Sequence, residues 1–274
     1  MEFSAYKMDG LGNDFVIIDN RSKPIILNNE QILKICDRKF IGCDQLIFIN
    51  THEKSDAKID FFNSDGSTSG ACGNGTRCVA DLLSKENGKK NISLVTSEGE
   101  LKSDIIGDNL VETGIGFGKT NWNEIPLAKN VNTKNLQIEI LDNDNKSHIG
   151  GTAISVGNPH VIFFVSDIEK FNIEKIGPTI ENHELFPERC NVTIGQVINK
   201  KLIKVRVWER GAGLTKACGT AACATAFAGL IHNVSSNEVD IEFKTGNLTI
   251  SIDQDNFIKM KGPVSDIKKI DIKL

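Results

Sequence analysis

One pattern is written twice along this chain. The stretch from Phe61-Phe62-Asn63 to Ala71-Cys72-Gly73 returns as Val207-Trp208-Glu209 to Ala217-Cys218-Gly219 at an offset of 146 (Cys72 to Cys218, Asn63 to Glu209). Upstream, Gly12-Asn13 with Val16-Ile17 matches Gly157-Asn158 with Val161-Ile162 at an offset of 145 (Asn13 to Asn158). Gln45 matches Asn191, Lys58-Ile59 matches Lys204-Val205, and Ala80 matches Ala226, all at the offset of 146. One repeated Ala-Cys-Gly word is within the reach of chance. Several blocks in one register imply that a whole folding unit is duplicated.

The expectation is an α+β chain of two pseudo-symmetric domains, residues 1–118 and 119–262, with a C-terminal strand of about 263–274 joining the first. Gly114-Ile115-Gly116-Phe117-Gly118 is the expected junction. Each half reads as strand-rich with one helix that follows the cysteine. Phe15–Asp19, Gln45–Asn50, Lys58–Phe62 and Ile92–Thr96 are β-branched or aromatic runs bounded by turn formers, which predicts strands. Thr76–Lys85 and Ala221–Ile231 lack proline and are rich in Ala or Leu, which predicts a helix after each cysteine.

Composition narrows the function classes. A length of 274 residues suffices for a large core, and 25% charged with 39% hydrophobic residues is globular. The net charge of -4 and pI near 5.8 give no basic footprint for nucleic acid. No run approaches the ~18 apolar residues of a membrane span, and polar residues break Met1 to Asp19 where an export signal would be apolar. A cytoplasmic location with no membrane partner is expected. Seven cysteines, an odd number, then read as reduced thiols. Cys78 and Cys223 follow Cys72 and Cys218 at helical offsets that turn them off their partners' faces, so no metal site is expected.

Each Cys-Gly pair falls where a turn enters a helix, and first-turn N–H groups have no intrahelical acceptor. Such a position lowers a thiol below its ordinary pKa of ~8.5 and also cradles a carboxylate. Were the two halves to pack about an approximate two-fold axis, the cysteines would flank one bound carbon in an interdomain cleft. One thiolate would remove a Cα proton and the opposite thiol would return one to the other face, with the amide-held carboxylate absorbing charge. Like charges in a dry cleft resist joint ionisation, so the pair is expected to hold one shared proton.

Four words now carry a resemblance: Lys7 to Phe15, Asn63-Ser64-Asp65-Gly66-Ser67 with Cys72 to Cys78, Gly157-Asn158-Pro159-His160, and Glu209 to Gly213 with Ala217-Cys218-Gly219-Thr220. Together they resemble the diaminopimelate epimerase family from end to end, which implies in each half a mixed, mostly antiparallel β-sheet wrapped around a central helix. The resemblance implies a cofactor-independent isomerase that interconverts LL- and meso-diaminopimelate in lysine and peptidoglycan precursor synthesis, using no pyridoxal phosphate and no metal. It implies that Cys72 and Cys218 are the two bases and that His160 and Glu209 tune them. It places substrate binding on Asn13, Gln45, Asn63, Asn158, Asn191, Glu209 and Arg210, and the carboxylate cradle on Gly73-Asn74 and Gly219-Thr220. A homodimer is expected with it.

These positions also stand on the repeat, since Asn13/Asn158, Gln45/Asn191 and Asn63/Glu209 are matched pairs. Arg210 matches Ser64, so charge recognition is built on one side only, as a substrate with a second charged end needs. Departures from the family pattern are Asp9 where His is commoner, Leu214 where Glu is common, and Ala221 where Gly usually stands. Ala221 would be strained if its φ were positive. Plainer readings compete: His160, Asn13 and Asn158 as structural turn or core residues, Arg77 as an ion-pair partner, Cys190 as a thiol near the site. Gly70 to Gly75 lacks the Lys and Ser/Thr of a phosphate loop. The alternatives at this point are another two-base isomerase, such as a proline racemase-like enzyme, a disulfide-cycling redox protein, and a noncatalytic binding module.

Overall fold

The computed structural model describes residues 1–70 and 72–274, so Ala71 of the first Ala-Cys-Gly word lies outside the described residues. The chain forms two compact units, Met1–Gly114 with Lys261–Leu274, and Ile115–Met260. Unit 1 runs β1 (Glu2–Asp9), β2 (Asp14–Asp19), α1 (Asn29–Cys36), β3 (Gln45–Asn50), β4 (Ala57–Asn63), β5 (Thr68–Ser69), α2 (Gly73–Asn87), β6 (Asn91–Thr96), β7 (Gly99–Gly107) and β8 (Leu110–Phe117). Unit 2 continues with β9 (Ile138–Leu141), β10 (Ser147–Gly150), β11 (Thr152–Ser155), β12 (Pro159–Val165), a 3-10 turn (Ile168–Lys170), α3 (Ile173–Glu181), β13 (Asn191–Asn199), β14 (Leu202–Glu209), β15 (Gly213–Thr215), α4 (Gly219–Ile231), β16 (Glu238–Phe243), β17 (Gly246–Ile252) and β18 (Phe257–Pro263). The chain crosses between units within β8 and returns within β18, and β19 (Lys268–Lys273) pairs with β1 in unit 1.

The duplication seen in the sequence reappears in the strand pairing. In unit 1, β2 is parallel to β3, β3 antiparallel to β4, β4 antiparallel to β5 and parallel to β6. In unit 2, β12, β13, β14, β15 and β16 repeat those relations in order. Even the register follows: Phe15 pairs with Gln45, and His160 pairs with Asn191.

Alternation along the strands shows why one helix per half does not suffice. Phe15 and Ile17 of β2, with Ile47 and Ile49 of β3, enter the core beneath α2. Their neighbours Val16, Ile18, Leu46 and Phe48 enter a second core with Ile32, Ile35 and Cys36 of α1. A sheet apolar on both faces needs cover on both. The expectation of a single helix per half is therefore corrected by α1 and, in unit 2, by α3, whose Ile173, Ile176 and Ile180 pack on Val161, Val192 and Ile194. Local capping starts both: Asn28 and Gln31 form a reciprocal capping box at α1, and Asn172 accepts from the N–H groups of Glu174 and Lys175 at α3. Among the described residues no helix is long and apolar enough to cross a membrane.

Candidate active site

Each cysteine is the N-cap of its unit's central helix. Cys72 precedes α2 with φ -147 and ψ 108, and Cys218 precedes α4 with φ -137 and ψ 116. Both helices begin at the glycine after the cysteine, earlier than the Ala/Leu-rich pattern predicts. Neither carries an acidic residue in its first turn, so the positive helix ends meet no internal carboxylate there.

In unit 1 the candidate residues converge at the ends of three strands. Gln45 and Asn63 are register partners, and Gln45 Nε2 donates to Asn63 Oδ1 at 2.8 Å. Asn63 Nδ2 donates in turn to Ser67 Oγ at 3.0 Å. The Cys72 thiol lies 3.7 Å from Asn13 Oδ1, and Asn13 Nδ2 donates to Asp44 Oδ2 at 3.0 Å. Gln45 Oε1 is buried and has no hydrogen-bond partner among the described residues. Asn74, in the first turn of α2, is buried, and its Oδ1 accepts from the fully buried Arg77 at 3.0 Å. Arg77 is thus interior support for the helix entrance. Gly10 closes over the same turn: a Cβ there would come within 3.0 Å of the Asn74 carbonyl oxygen. Asp9, the departure from the family pattern, accepts from Gly12 N–H at 2.7 Å and so caps the turn that leads to Asn13.

In unit 2 the matched residues converge in the same way. Asn191 Nδ2 donates to the Pro159 carbonyl at 3.1 Å, and its Oδ1 accepts from Arg210 N–H at 3.0 Å. The Arg210 guanidinium donates to the Glu188 carbonyl at 2.8 Å. Glu181, at the end of α3, holds the turn on both sides, accepting from Trp208 Nε1 at 2.7 Å and from Gly211 N–H at 2.9 Å. His160 is fully buried; burial and then the Arg210 charge lower its pKa to about 3. As a neutral ring it donates from Nε2 to Asn158 Oδ1 at 2.9 Å, leaving Nδ1 buried without a partner among the described residues.

Cys218 corrects the expectation of a low thiol pKa at the helix entrance. Burial, and after it the charge of Glu209, raises this thiol well above its ordinary value. The Thr220 hydroxyl, 3.4 Å from Sγ, and the Ala221 N–H act in the opposite direction but do not prevail. Desolvating a thiolate costs more than those helix-entrance donors return. Cys218 is therefore a protonated thiol, hydrogen-bonded to the Glu209 carboxylate. Ala221 lies inside α4 and has no positive φ, so it carries no backbone strain. Cys190 is fully buried, 3.5 Å from the Ile180 carbonyl oxygen, and burial raises its pKa too, which makes it a core thiol.

Asp44 and Glu181 are the residues that sequence reasoning missed. Asp44 was within reach, adjoining Gln45 in the repeat. Glu181 has no local signal, because its partners Trp208 and Gly211 come from a distant strand and turn. Among the described residues no group of three or more His, Cys, Asp or Glu is placed to hold a metal ion.

Comparison with known proteins agrees with the duplicated plan. The family model for diaminopimelate epimerase matches residues 5–118 and 152–267. A diaminopimelate epimerase of Pelagibacter ubique (strain HTCC1062) is 68% identical over 274 residues, covering 100% of both chains. Among solved structures, a phenazine biosynthesis protein of the PhzF family from Bacillus anthracis superposes with TM-score 0.69 at 16% identity, covering 100% of both chains. A probable proline racemase from Agrobacterium radiobacter K84 gives TM-score 0.67 at 12% identity, covering 99% of this chain and 93% of that one. The structural likenesses speak to the fold, whereas the family match and the 68% identity decide the affiliation: this chain belongs to the diaminopimelate epimerase family.

Proposed function

We propose that the chain interconverts LL- and meso-diaminopimelate without a cofactor, with Cys72 and Cys218 as the two proton-transfer groups. The observation that carries this reading is their equivalence: each cysteine caps a central helix in the same extended conformation, after the same strand and turn. In one direction Cys72 acts as the thiolate that removes the Cα proton, and Cys218, held protonated by burial and Glu209, is the acid. The reverse direction exchanges the roles. The mechanism requires both sulfurs to flank one substrate carbon.

The first-turn N–H groups at Gly73-Asn74 and Gly219-Thr220 hold the carboxylate of the reacting centre and stabilise the charge that develops there. The remote end falls to the side-chain clusters. Gln45 Oε1 is a buried acceptor suited to an ammonium. Arg210, fixed through Asn191 and Glu188, is suited to the distal carboxylate. Asn13, Asn63 and Asn158 complete the polar contacts, and neutral His160 orients Asn158. A homodimer and a cytoplasmic location belong to the same reading; sedimentation of the purified chain and cell fractionation test them.

The deciding experiment follows solvent deuterium into Cα of LL- and meso-diaminopimelate with wild type, Cys72→Ala and Cys218→Ala. Incorporation by wild type that either substitution abolishes as epimerisation supports the two-base reading. Incorporation untouched by both overturns it. Proline, supplied in parallel, tests the proline racemase-like alternative.

A further inference from the structure

Away from the proposed catalytic cysteines, unit 1 brings two other thiols into contact. Cys36 ends α1 and Cys43 lies just before β3, and their sulfurs are 3.5 Å apart with Cys43 donating to Cys36. The backbone sets this approach. Cys43 N–H donates to the Cys36 carbonyl at 3.2 Å and Gly42 N–H to the Ile35 carbonyl at 3.0 Å, so residues 37–42 form a closed loop. Gly42 has φ 76, and a Cβ there would come within 2.9 Å of the Arg38 Cα, so the turn needs glycine. Lys7 Nζ bonds the Gly42 carbonyl oxygen and ties the loop to β1. We propose that Cys36 and Cys43 form a reversible disulfide, a modification site for peroxide-class oxidants separate from the proposed catalytic pair.

Three features give the pair directed reactivity. The sulfurs need to close from 3.5 Å to about 2.05 Å, within reach of side-chain rotation because the backbones already touch. The shared proton is unequally held: the Cys43 hydrogen bond lowers the Cys36 pKa against burial, with help from the Lys7 and Arg38 charges, while the same bond and burial raise Cys43. Cys36 is thus the nucleophile and Cys43 the resolving thiol. Finally, Cys36 borders the exposed residues Asp37 to Phe40, so opening the last turn of an eight-residue helix admits a small peroxide.

The chemistry balances. Cys36 thiolate attacks one peroxide oxygen, the O–O bond breaks, and sulfenic acid and hydroxide form. The Cys43 sulfur then attacks the Cys36 sulfur, the S–O bond breaks, and the Cys43 proton leaves with the hydroxyl as water. Two thiols lose two electrons, and hydrogen peroxide is reduced to two waters. A dithiol reductant reverses the bond by exchange.

Peptide mapping of the intact wild-type protein tests the proposal. Trypsin cuts after Lys34, Arg38, Lys39 and Lys54, which separates Cys36 (residues 35–38) from Cys43 (residues 40–54) and from every other cysteine. The native protein is treated with hydrogen peroxide, remaining thiols are alkylated, and digestion is carried out without reductant. Peptides 35–38 and 40–54 are expected joined, and to separate after dithiothreitol. Cys43→Ser is expected to leave Cys36 as a sulfenic acid that dimedone traps. Recovery of the two peptides unjoined, whether alkylated or with Cys36 as sulfinic acid, overturns the proposal, provided the exposure oxidises both in the urea-unfolded chain. Should Cys43→Ser fail to fold, the wild-type map decides alone.

Discussion

The two helix entrances share a backbone and differ in what lies beneath them. Under α2, Gly75 rests on aromatic and aliphatic side chains; a Cβ there would come within 2.8 Å of both Ile47 and Phe61 and 3.2 Å of Phe15. The repeat-equivalent position in α4 is Ala221, fully buried, and the equivalents of Phe15, Ile47 and Phe61 are His160, Thr193 and Val207. Unit 2 therefore trades bulk in the sheet for a methyl on the helix and gains polar atoms in the layer. His160 Nδ1 and Thr193 Oγ1 are both buried there without partners among the described residues. The same geometry can thus hold two cysteines while setting their surroundings separately. In unit 2 the setting is explicit: burial raises the Cys218 thiol, and Glu209, standing where unit 1 has Asn63, raises it further.

The largest test of this comparison is to remove each sulfur in turn. Cys72→Ala and Cys218→Ala are each expected to lower kcat for epimerisation by about 10³-fold. Losses of that size in only one variant would break the functional equivalence of the two entrances. Circular dichroism of both variants checks that the fold persists.

Next in size is the pH dependence that His160 gives unit 2. His160 has its folded pKa lowered to about 3, so below the unfolded value of ~6.5 the unfolded chain takes up a proton that the folded chain refuses. Stability from this group is present above pH ~6.5 and is lost as the pH falls toward 3. The loss at pH 4 is on the order of 3 kcal/mol. His160→Phe, which installs the unit 1 residue, is expected to shrink the difference between urea unfolding at pH 7 and pH 4 by that amount. An unchanged difference would mean that His160 is solvated.

Exchanging the helix residues sharpens the packing contrast. Gly75→Ala is expected to destabilise by about 1–3 kcal/mol, since the methyl overpacks against Ile47 and Phe61. Ala221→Gly should cost about 1 kcal/mol through lost helix propensity and a lost buried methyl. Urea unfolding of both variants measures the contrast, and equal small effects would erase it. The smallest expected effect is that of Cys190→Ala. It should leave kcat unchanged and lower stability by about 1 kcal/mol, because its sulfur is core filling beside Ile180.

Much of the fold was legible because the repeat is a statement about the whole chain. β3 and α4 end where the hydrophobic runs suggest, and β2, β4 and β6 differ from expectation by a residue at their ends. The helix starts at Gly73 and Gly219 were hidden, since glycine reads as a turn until the following turns are seen to continue through it. The short helices α1 and α3 were missed for a related reason: eight or nine residues give little periodicity, and the need for them lies in the second apolar face of β2, β3, β12 and β13.

The candidate residues were nameable from the repeat and the resemblance, whereas their states were not. Burial decides that Cys218 is a thiol and His160 a neutral ring, and burial is a sum over distant parts of the chain. The Cys36–Cys43 contact is similar, since seven residues of sequence separation do not reveal that the intervening loop closes on itself.

The sequence by itself determined that the chain folds as two copies of one unit, with a cysteine entering the central helix of each, because local pattern and register are properties of residue order. Only the tertiary structure decided which partners each group meets and how much water it loses: Glu209 against Cys218, Asp44 against Asn13, Glu181 against Trp208 and Gly211. Those quantities depend on side chains brought together from distant positions, and they set the charge that each group carries.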